Sequence, residues 1–234
     1  RMPSNDDINN LKSNSLLIGI LNPYENKSEF SNLNKNKISS CCMELIPRIS
    51  RAQSMDVLSS QANLAGYRSV IDAAEQFGKA FPMMMTAAGR VNPAKVMILG
   101  VGVAGLQAIA TAKRLGAVVS ATDVRAATKE QVESLGGKFI MVEDDEAENA
   151  ETAGGYAKEM SEDYKKKQAQ LIADTVSKQD IVICTALIPG KKAPVLITEE
   201  MVSSMIPGSV VIDLAVEAGG NCPLSKMNEI VEHN

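Results

Sequence analysis

The sequence predicts an α/β chain, a doubly wound parallel sheet preceded by part of a second α/β lobe. Three observations carry this. From Ala94 nearly to the end, short apolar runs alternate with helix-period stretches, the pattern of parallel strands joined by helical crossovers. A glycine-rich turn joins the first of those runs to the helix that follows. Composition agrees: 45% of the 234 residues are hydrophobic but only 3% are aromatic, with no Trp and 12 Met. A core of Ala, Val, Ile, Leu and Met suits helices packed on a parallel sheet better than a β-sandwich.

Taken in order, residues 16–21 (LLIGIL) and 38–45 read as strands, with a helical stretch at 25–34 between them. One such βαβ unit is too small to bury its own sheet: either it joins the sheet that follows or, the favoured reading, residues 1–50 are the remnant of a larger first lobe. Residues 53–79 carry a helical pattern in Met55, Leu58, Ala62, Ala65, Val70, Ala73 and Phe77. Pro82, Gly89 and Pro93 break it, which makes residues 51–93 a connecting helix and linker. Residues 94–234 form the second domain, incomplete at its C-terminal end. Its strands are expected at 96–99, 118–122, 139–142, 181–184 and 210–214, and its helices at 103–115, 127–135, 158–176 and 199–205. The acidic residues 143–151 read as a solvated loop.

Several classes of function are disfavoured. The net charge is -4 and no Lys/Arg stripe interleaves with aromatics, so nucleic acid is not an expected partner. No run of about 18 apolar residues occurs to span a membrane. The start, residues 1–14, is polar with both charge signs, unlike a signal peptide. Cys41, Cys42, Cys184 and Cys222 form no CxxC pair, and the one histidine is His233. No metal site is expected. The thiols read as small core hydrophobes in a reducing compartment, with cytoplasm as the default.

The strand ending at Leu99 runs directly into Gly100-Val101-Gly102-Val103-Ala104-Gly105, a G-x-G-x-x-G. Alone, that motif is weak, since glycines punctuate many turns. Here a strand precedes it, a helix follows it, and Asp123 stands about 20 residues on, after the next strand. Gly100 permits the sharp turn, Gly102 lets a pyrophosphate approach the backbone, and Gly105 lets helix and strand pack closely. The N–H groups at the head of the Val103 helix then face the diphosphate. This constellation predicts a Rossmann domain for NAD(H). A carboxylate at Asp123 accepts ribose hydroxyls and repels a 2′-phosphate; Arg125 is the counter-argument, since an arginine there accepts that phosphate. Val124 lies between them on the same tip. The bland alternative is a glycine turn without a ligand.

Parallel sheets bind ligands beyond the carboxyl ends of their strands, which brings Ala186 and Leu187, in the turn 185–190, to the cofactor. An ordinary tight turn explains those residues almost as well. Residues 217–221 lie at the same rim and receive no role. The polar stretch 47–60 has two readings. In one, Ser50 or Ser54 caps the long helix and Arg48 or Arg51 pairs with Asp56. In the other, Arg48, Gln53, Asp56 and Ser59 lie over the nicotinamide end of the cofactor. His233 lies beyond the last recognisable element, so an acid/base role would fall to a lysine, a tyrosine or a missing segment; alternatively, the reaction needs no proton transfer in this chain. Hydride exchange between two nicotinamide rings is such a reaction, needing only positioning and electrostatics.

The blocks PRISRAQSMDVLSSQANLAGYR, MTAAGRV, VMILGVGVAGLQAIATAKRLGA, TDVRAATKEQVESLGGKF, AGGYAKEMS, TALIPGKKAPVLIT and VIDLAVEAGGNCP resemble the NAD(H)-binding component, domain I of the alpha subunit, of proton-translocating NAD(P) transhydrogenase. The likeness runs from about residue 43 to 223. It implies a two-lobed homodimer with NAD(H) in the cleft between the lobes. It also implies a partner domain that carries NADP(H), and a membrane domain that conducts protons. Hydride would pass directly from NADH to NADP+, with the chain peripheral on the cytoplasmic side of the inner membrane. By the same resemblance Arg48, Gln53, Asp56 and Ser59 are the catalytic residues at the nicotinamide. The segment 153–161 would be a mobile lid on a Gly154-Gly155 hinge, with Tyr156 folding in. Complete members are longer at both ends, so a truncated chain, inactive alone, is expected. Alanine dehydrogenase shares the two-lobed plan and is the nearest rival; a non-catalytic NAD(H)-binding module is another.

Overall fold

A computed structural model describes residues 1–142, 160–187 and 190–233. The chain divides into two compact units, Arg1–Gln61 and Ala62–Asn234, the division falling inside the helix Val57–Gln76.

The first unit opens with α1 (Asn5–Asn10), a helix that a periodicity search misses because six residues with one buried apolar position, Ile8, show no period. A capping box starts it: the Ser4 hydroxyl accepts the Asp7 N–H and the Asp7 carboxylate accepts the Ser4 N–H. Then come β1 (Leu16–Gly19), α2 (Lys27–Lys35) and β2 (Ser39–Cys42), with β1 and β2 parallel and Leu16 opposite Ser39. The expected βαβ unit is present. Ile8, Leu33 and Ile38 form its core with Leu17 and Phe30, while Leu16 and Ile18, on the other face of β1, are 60% and 59% exposed. The second strand stops at Cys42 rather than running to residue 45. There the chain turns through the 3-10 segment Met43–Leu45, where a Glu44 carboxylate oxygen accepts the Leu21 and Asn22 N–H groups. Cys41 is exposed and Cys42 half-buried, so these two thiols are not the core residues expected.

A second 3-10 segment, Ser50–Met55, leads to α3 (Val57–Gln76), which starts at residue 57 rather than 53. In the second unit α3 is followed by an antiparallel hairpin, β3 (Met84–Thr86) with β4 (Gly89–Val91), in the segment that reads from sequence as a plain break. Its strands are three residues long and almost wholly exposed, so they carry no alternation to read.

From residue 95 the expected alternation appears: β5 (Lys95–Leu99), α4 (Val103–Arg114), β6 (Val118–Thr122), α5 (Lys129–Ser134), β7 (Lys138–Phe139), α6 (Glu162–Val176), β8 (Ile181–Cys184), α7 (Glu199–Ser203) and β9 (Val210–Asp213). The sheet is all parallel in the order β7-β6-β5-β8-β9. It is wound outward in both directions from β5, so the direction of winding reverses between β5 and β8. Both faces are covered. Val96, Ile98, Val119, Ala121, Ile181 and Ile183 pack against Ala108, Ile109 and Ala112 of α4 and Val70, Ala73 and Phe77 of α3. Met97, Leu99, Val182 and Cys184 pack on the opposite face against Ile172 and Val176 of α6 and Met201 of α7. Burial on both faces explains why β5 and β8 read as continuous apolar runs. Each fully buried Ile or Leu contributes roughly 1.5–3 kcal/mol. The third strand, β7, has two residues rather than four, and α5 is preceded by a 3-10 turn, Ala126–Thr128. Among the described residues no helix is long and apolar enough to cross a membrane.

Candidate functional site

The turn between β5 and α4 lies at the carboxyl edge of the sheet, beside the reversal of winding. Its three glycines are there for different reasons. Gly100 has φ +96, and a Cβ on it would stand 2.9 Å from Thr185 Oγ1 and 3.0 Å from the Ala186 nitrogen. A Cβ on Gly105 would stand 2.0 Å from the Gly100 carbonyl oxygen. Both are demanded by the protein's own packing. Gly102 is not: it has an ordinary φ of -82, and a Cβ there would meet nothing within 4 Å. Among the described residues no side chain caps α4, whose first turn begins at Val103 directly after Gly102. On the far side of that turn α3 approaches closely, since a Cβ on Gly66 would lie 2.0 Å from the Ala104 carbonyl oxygen.

Neighbouring strand tips hold the loop on both sides. The Val101 N–H donates to Asp123 Oδ2 at 2.7 Å, beyond β6. The Thr185 hydroxyl, beyond β8, donates to the Gly100 carbonyl at 2.8 Å. Asp123 and Arg125 form one unit. The guanidinium binds the carboxylate through Nε and Nη2 at 2.9 and 2.8 Å, the Arg125 N–H donates to Oδ1 at 2.9 Å, and Nη2 also reaches the Val101 carbonyl at 3.2 Å. Their side chains are 7% and 14% exposed. Val124, between them, is partly buried against Met160 and Tyr164.

Across the reversal point the chain leaves β8 at Thr185–Leu187, with Leu187 exposed. Ala186 is gripped by Asn221, a residue to which the sequence alone assigns no role. The Ala186 N–H donates to Asn221 Oδ1 at 3.1 Å, and Asn221 Nδ2 donates to the Ala186 carbonyl at 2.9 Å. Asn221 follows two glycines in left-handed conformation, Gly219 and Gly220. Asp213 at the end of β9 accepts the Asn221 and Cys222 N–H groups at 2.8 and 3.0 Å. A Gly-Gly-Asn shortly after an acid-terminated strand is the available signal. Beneath this loop Cys184 is fully buried, and burial pushes its thiol well above the usual range, with the Asp213 carboxylate adding to the shift.

In the first unit, Arg48, Asp56 and Ser59 come together. Asp56, not Ser50 or Ser54, caps α3: its Oδ1 accepts the Ser59 N–H at 2.9 Å and its Oδ2 accepts the Ser59 hydroxyl at 2.6 Å. The Arg48 Nε lies 3.8 Å from Asp56 Oδ2. The Ser59 hydrogen bonds, with a smaller contribution from Arg48, hold the Asp56 carboxyl below the usual carboxylate range. Gln53 is exposed on the preceding 3-10 segment. Tyr156 and residues 153–159 of the expected lid lie outside the described residues. The last lid residue, Ser161, caps α6, accepting the Tyr164 N–H at 3.2 Å.

A sheet of this topology, entering a helix through G-x-G-x-x-G with a buried acid at the next strand tip, defines a Rossmann-type α/β protein. Residues 1–65 match the N-terminal domain, and residues 69–234 the C-terminal domain, of the family described as alanine dehydrogenase/PNT. The chain belongs to this family. It is 67% identical to an NAD(P) transhydrogenase alpha subunit of Rhodospirillum rubrum over 97% of its own length and 59% of that protein's. It is 33% identical to alanine dehydrogenase of Bacillus subtilis over 74% of its length and 40% of that protein's. A solved transhydrogenase structure from Sinorhizobium meliloti superposes on 100% of the chain and 62% of its own length, at a TM-score of 0.90 and 55% identity. The chain thus spans less than two thirds of these relatives.

Proposed function

We propose that this chain is the NAD(H)-binding component of a proton-translocating transhydrogenase. Its reaction is direct hydride transfer between NADH here and NADP+ on a partner domain, coupled to proton movement across a membrane. In this reading residues 1–50 belong to the first lobe of that component, 51–93 connect the lobes, and 94–234 are the Rossmann domain. The chain works as a homodimer, peripheral on the cytoplasmic face of the inner membrane through its partner subunits.

The observation that carries the reading is the contrast at Gly102. Gly100 and Gly105 answer to internal packing, whereas the space over Gly102 is open and leaves room for an external group against the backbone. That group would lie on the first turn of α4, where the N–H groups of a helix start and the helix dipole favour a diphosphate. The residues present fit the cofactor. Asp123 and Arg125 lie where an adenosine ribose would arrive, Gly102 and Val103 would take the diphosphate, and Ala186 and Leu187 would border the nicotinamide half. NADH, when bound, supplies a hydride from its nicotinamide ring.

The chain's own part is positioning. Arg48, Gln53, Asp56 and Ser59 orient the ring and the second nucleotide: the Asp56–Ser59 cap fixes the start of α3, and Asp56 steadies the Arg48 side chain. In this reading no proton transfer is asked of any side chain of the chain. Identity of 67% to a transhydrogenase subunit against 33% to an alanine dehydrogenase supports this reaction over alanine oxidation. The test is to mix the chain with an NADP(H)-binding domain and follow hydride transfer, with alanine-dependent NAD+ reduction in parallel. Transfer only with the partner domain is expected. Alanine-dependent reduction alone, or NADH binding without turnover in either assay, would overturn it.

A further inference from the structure

We propose that Asn221 is a positioning residue for the nicotinamide half of the site, acting by fixing the backbone of Ala186; this rests on the NAD(H) reading above. Asn221 is fully buried. Its side chain makes three hydrogen bonds: Oδ1 accepts the Ala186 N–H at 3.1 Å, and Nδ2 donates to the Ala186 carbonyl at 2.9 Å and the Pro194 carbonyl at 2.7 Å. Its backbone is held as firmly. The N–H donates to Asp213 Oδ2 at 2.8 Å, and the carbonyl accepts the Leu196 and Ile197 N–H groups at 2.9 and 3.1 Å.

The side-chain amide therefore stands in for a peptide unit. Up to Thr185 the chain leaving β8 is paired by backbone, the Thr185 N–H donating to the Leu99 carbonyl at 2.8 Å. One residue later both polar groups of Ala186 go to a single side chain. The amide orientation is fixed by its partners, since one backbone donor needs an acceptor and two carbonyls need donors. Ala186 in turn abuts the glycine loop, its nitrogen 3.0 Å from where a Cβ on Gly100 would be. A dinucleotide crossing this edge runs from the β6 tip, over the β5–α4 turn, to the β8 tip, so its adenosine meets Asp123 and its nicotinamide half falls toward Ala186. Asn221 touches only that last portion of the path.

Only an amide of this length supplies a donor and an acceptor together. Asn221→Asp keeps the shape, but an ionised carboxylate only accepts, and it would face two carbonyl oxygens. The experiment compares NADH with ADP, which lacks the nicotinamide half, on the wild-type chain and on Asn221→Asp at pH 8. The NADH dissociation constant is expected to rise by about tenfold, the scale of one buried unsatisfied polar group. The ADP constant should change by less than about twofold, since hydrogen-bond partners at the adenosine end are untouched. Lowering the pH until the new acid is protonated restores one donor, and should recover part of the NADH loss relative to wild type. Should Asn221→Asp fail to fold, Asn221→Gln retains donor and acceptor one methylene displaced, and the same selective loss is expected. Equal losses for both nucleotides, or none for NADH, overturn the inference while leaving the NAD(H) reading intact. A wild-type chain that binds neither nucleotide overturns both.

Discussion

The Arg125 guanidinium lies across the Asp123 carboxylate, and with the Val101 and Arg125 N–H groups it engages both carboxylate oxygens twice over. All four acceptor directions are satisfied within the protein. Two residues that argue in opposite directions from sequence, one refusing a 2′-phosphate and one accepting it, are thus a single buried pair. A ribose diol arriving at the β6 tip has to displace one donor.

Asp123→Asn is therefore expected to do two things. It removes the charge that binds ribose hydroxyls, weakening NADH by about tenfold or more, since hydrogen bonds to charged groups are worth about 1.5–3 kcal/mol. It also releases Arg125 to meet a 2′-phosphate, so discrimination against NADPH relaxes. Titration of both nucleotides against wild type and variant checks this, and an unchanged NADH/NADPH preference would remove the ribose role from Asp123.

Substitution of the loop glycines should separate packing from binding. Gly105→Ala forces a Cβ against the Gly100 carbonyl, which costs about 1–3 kcal/mol as overpacking. Its melting temperature should fall by about 2–4 °C per kcal/mol for a chain of this size. Gly102→Ala meets open space and has an allowed backbone, so its melting temperature should stay within about 2 °C of wild type. NADH binding should nevertheless be lost. Thermal melts with NADH titrations decide it; a Gly102→Ala chain that binds NADH normally would mean the space over that residue is not the diphosphate's.

The sheet is legible in the sequence because its strands are buried on both faces. β5 and β8 are unbroken apolar runs, so periodicity and length locate them, with β6 and α4, to within a residue. Elements that bury little are not legible. The hairpin β3–β4 and helix α1 exist through backbone pairing and a capping box, which leave no hydrophobic period. At the site, the glycine loop declares itself by spacing, whereas Asn221 does not. Its role depends on two loops far apart in sequence meeting over Ala186, and no local pattern encodes that meeting. The cap of α3 is hidden for a related reason: Ser50, Ser54 and Asp56 are all good cap residues, and only the 3-10 course of Ser50–Met55 selects the last.

Arg48→Ala and Gln53→Ala are expected to slow hydride transfer to an NADP-binding partner domain far more than they weaken NADH binding. Arg48 and Gln53 are exposed, so truncating either creates no cavity and little instability. If they orient the ring, small misplacements lower the rate steeply, and about 100-fold is the scale expected. Single-turnover transfer beside equilibrium NADH titration distinguishes the effects. Equal losses in both would make these residues plain binding contacts.

Asp56 gives the last prediction, and its sign follows from its partners. The Ser59 hydroxyl and N–H favour the charged carboxylate, and Arg48 adds to this, so the folded-state pKa lies below the ordinary value of 3.8. A depressed carboxyl stabilises the fold above its unfolded-state pKa and loses that contribution as pH falls through the folded-state value. Ser59→Ala removes the hydroxyl, the largest cause of the depression. The Asp56 pKa should then move back up toward 3.8, and the stability that the depression supplies above that pH, neutrality included, should fall, so the acid-unfolding midpoint shifts to higher pH. Carboxyl-detected NMR titration of Asp56 in the two chains measures the first effect and circular dichroism against pH the second. An Asp56 pKa unchanged in Ser59→Ala would remove the hydroxyl from the causes and leave the Ser59 N–H and Arg48, which Arg48→Ala then separates.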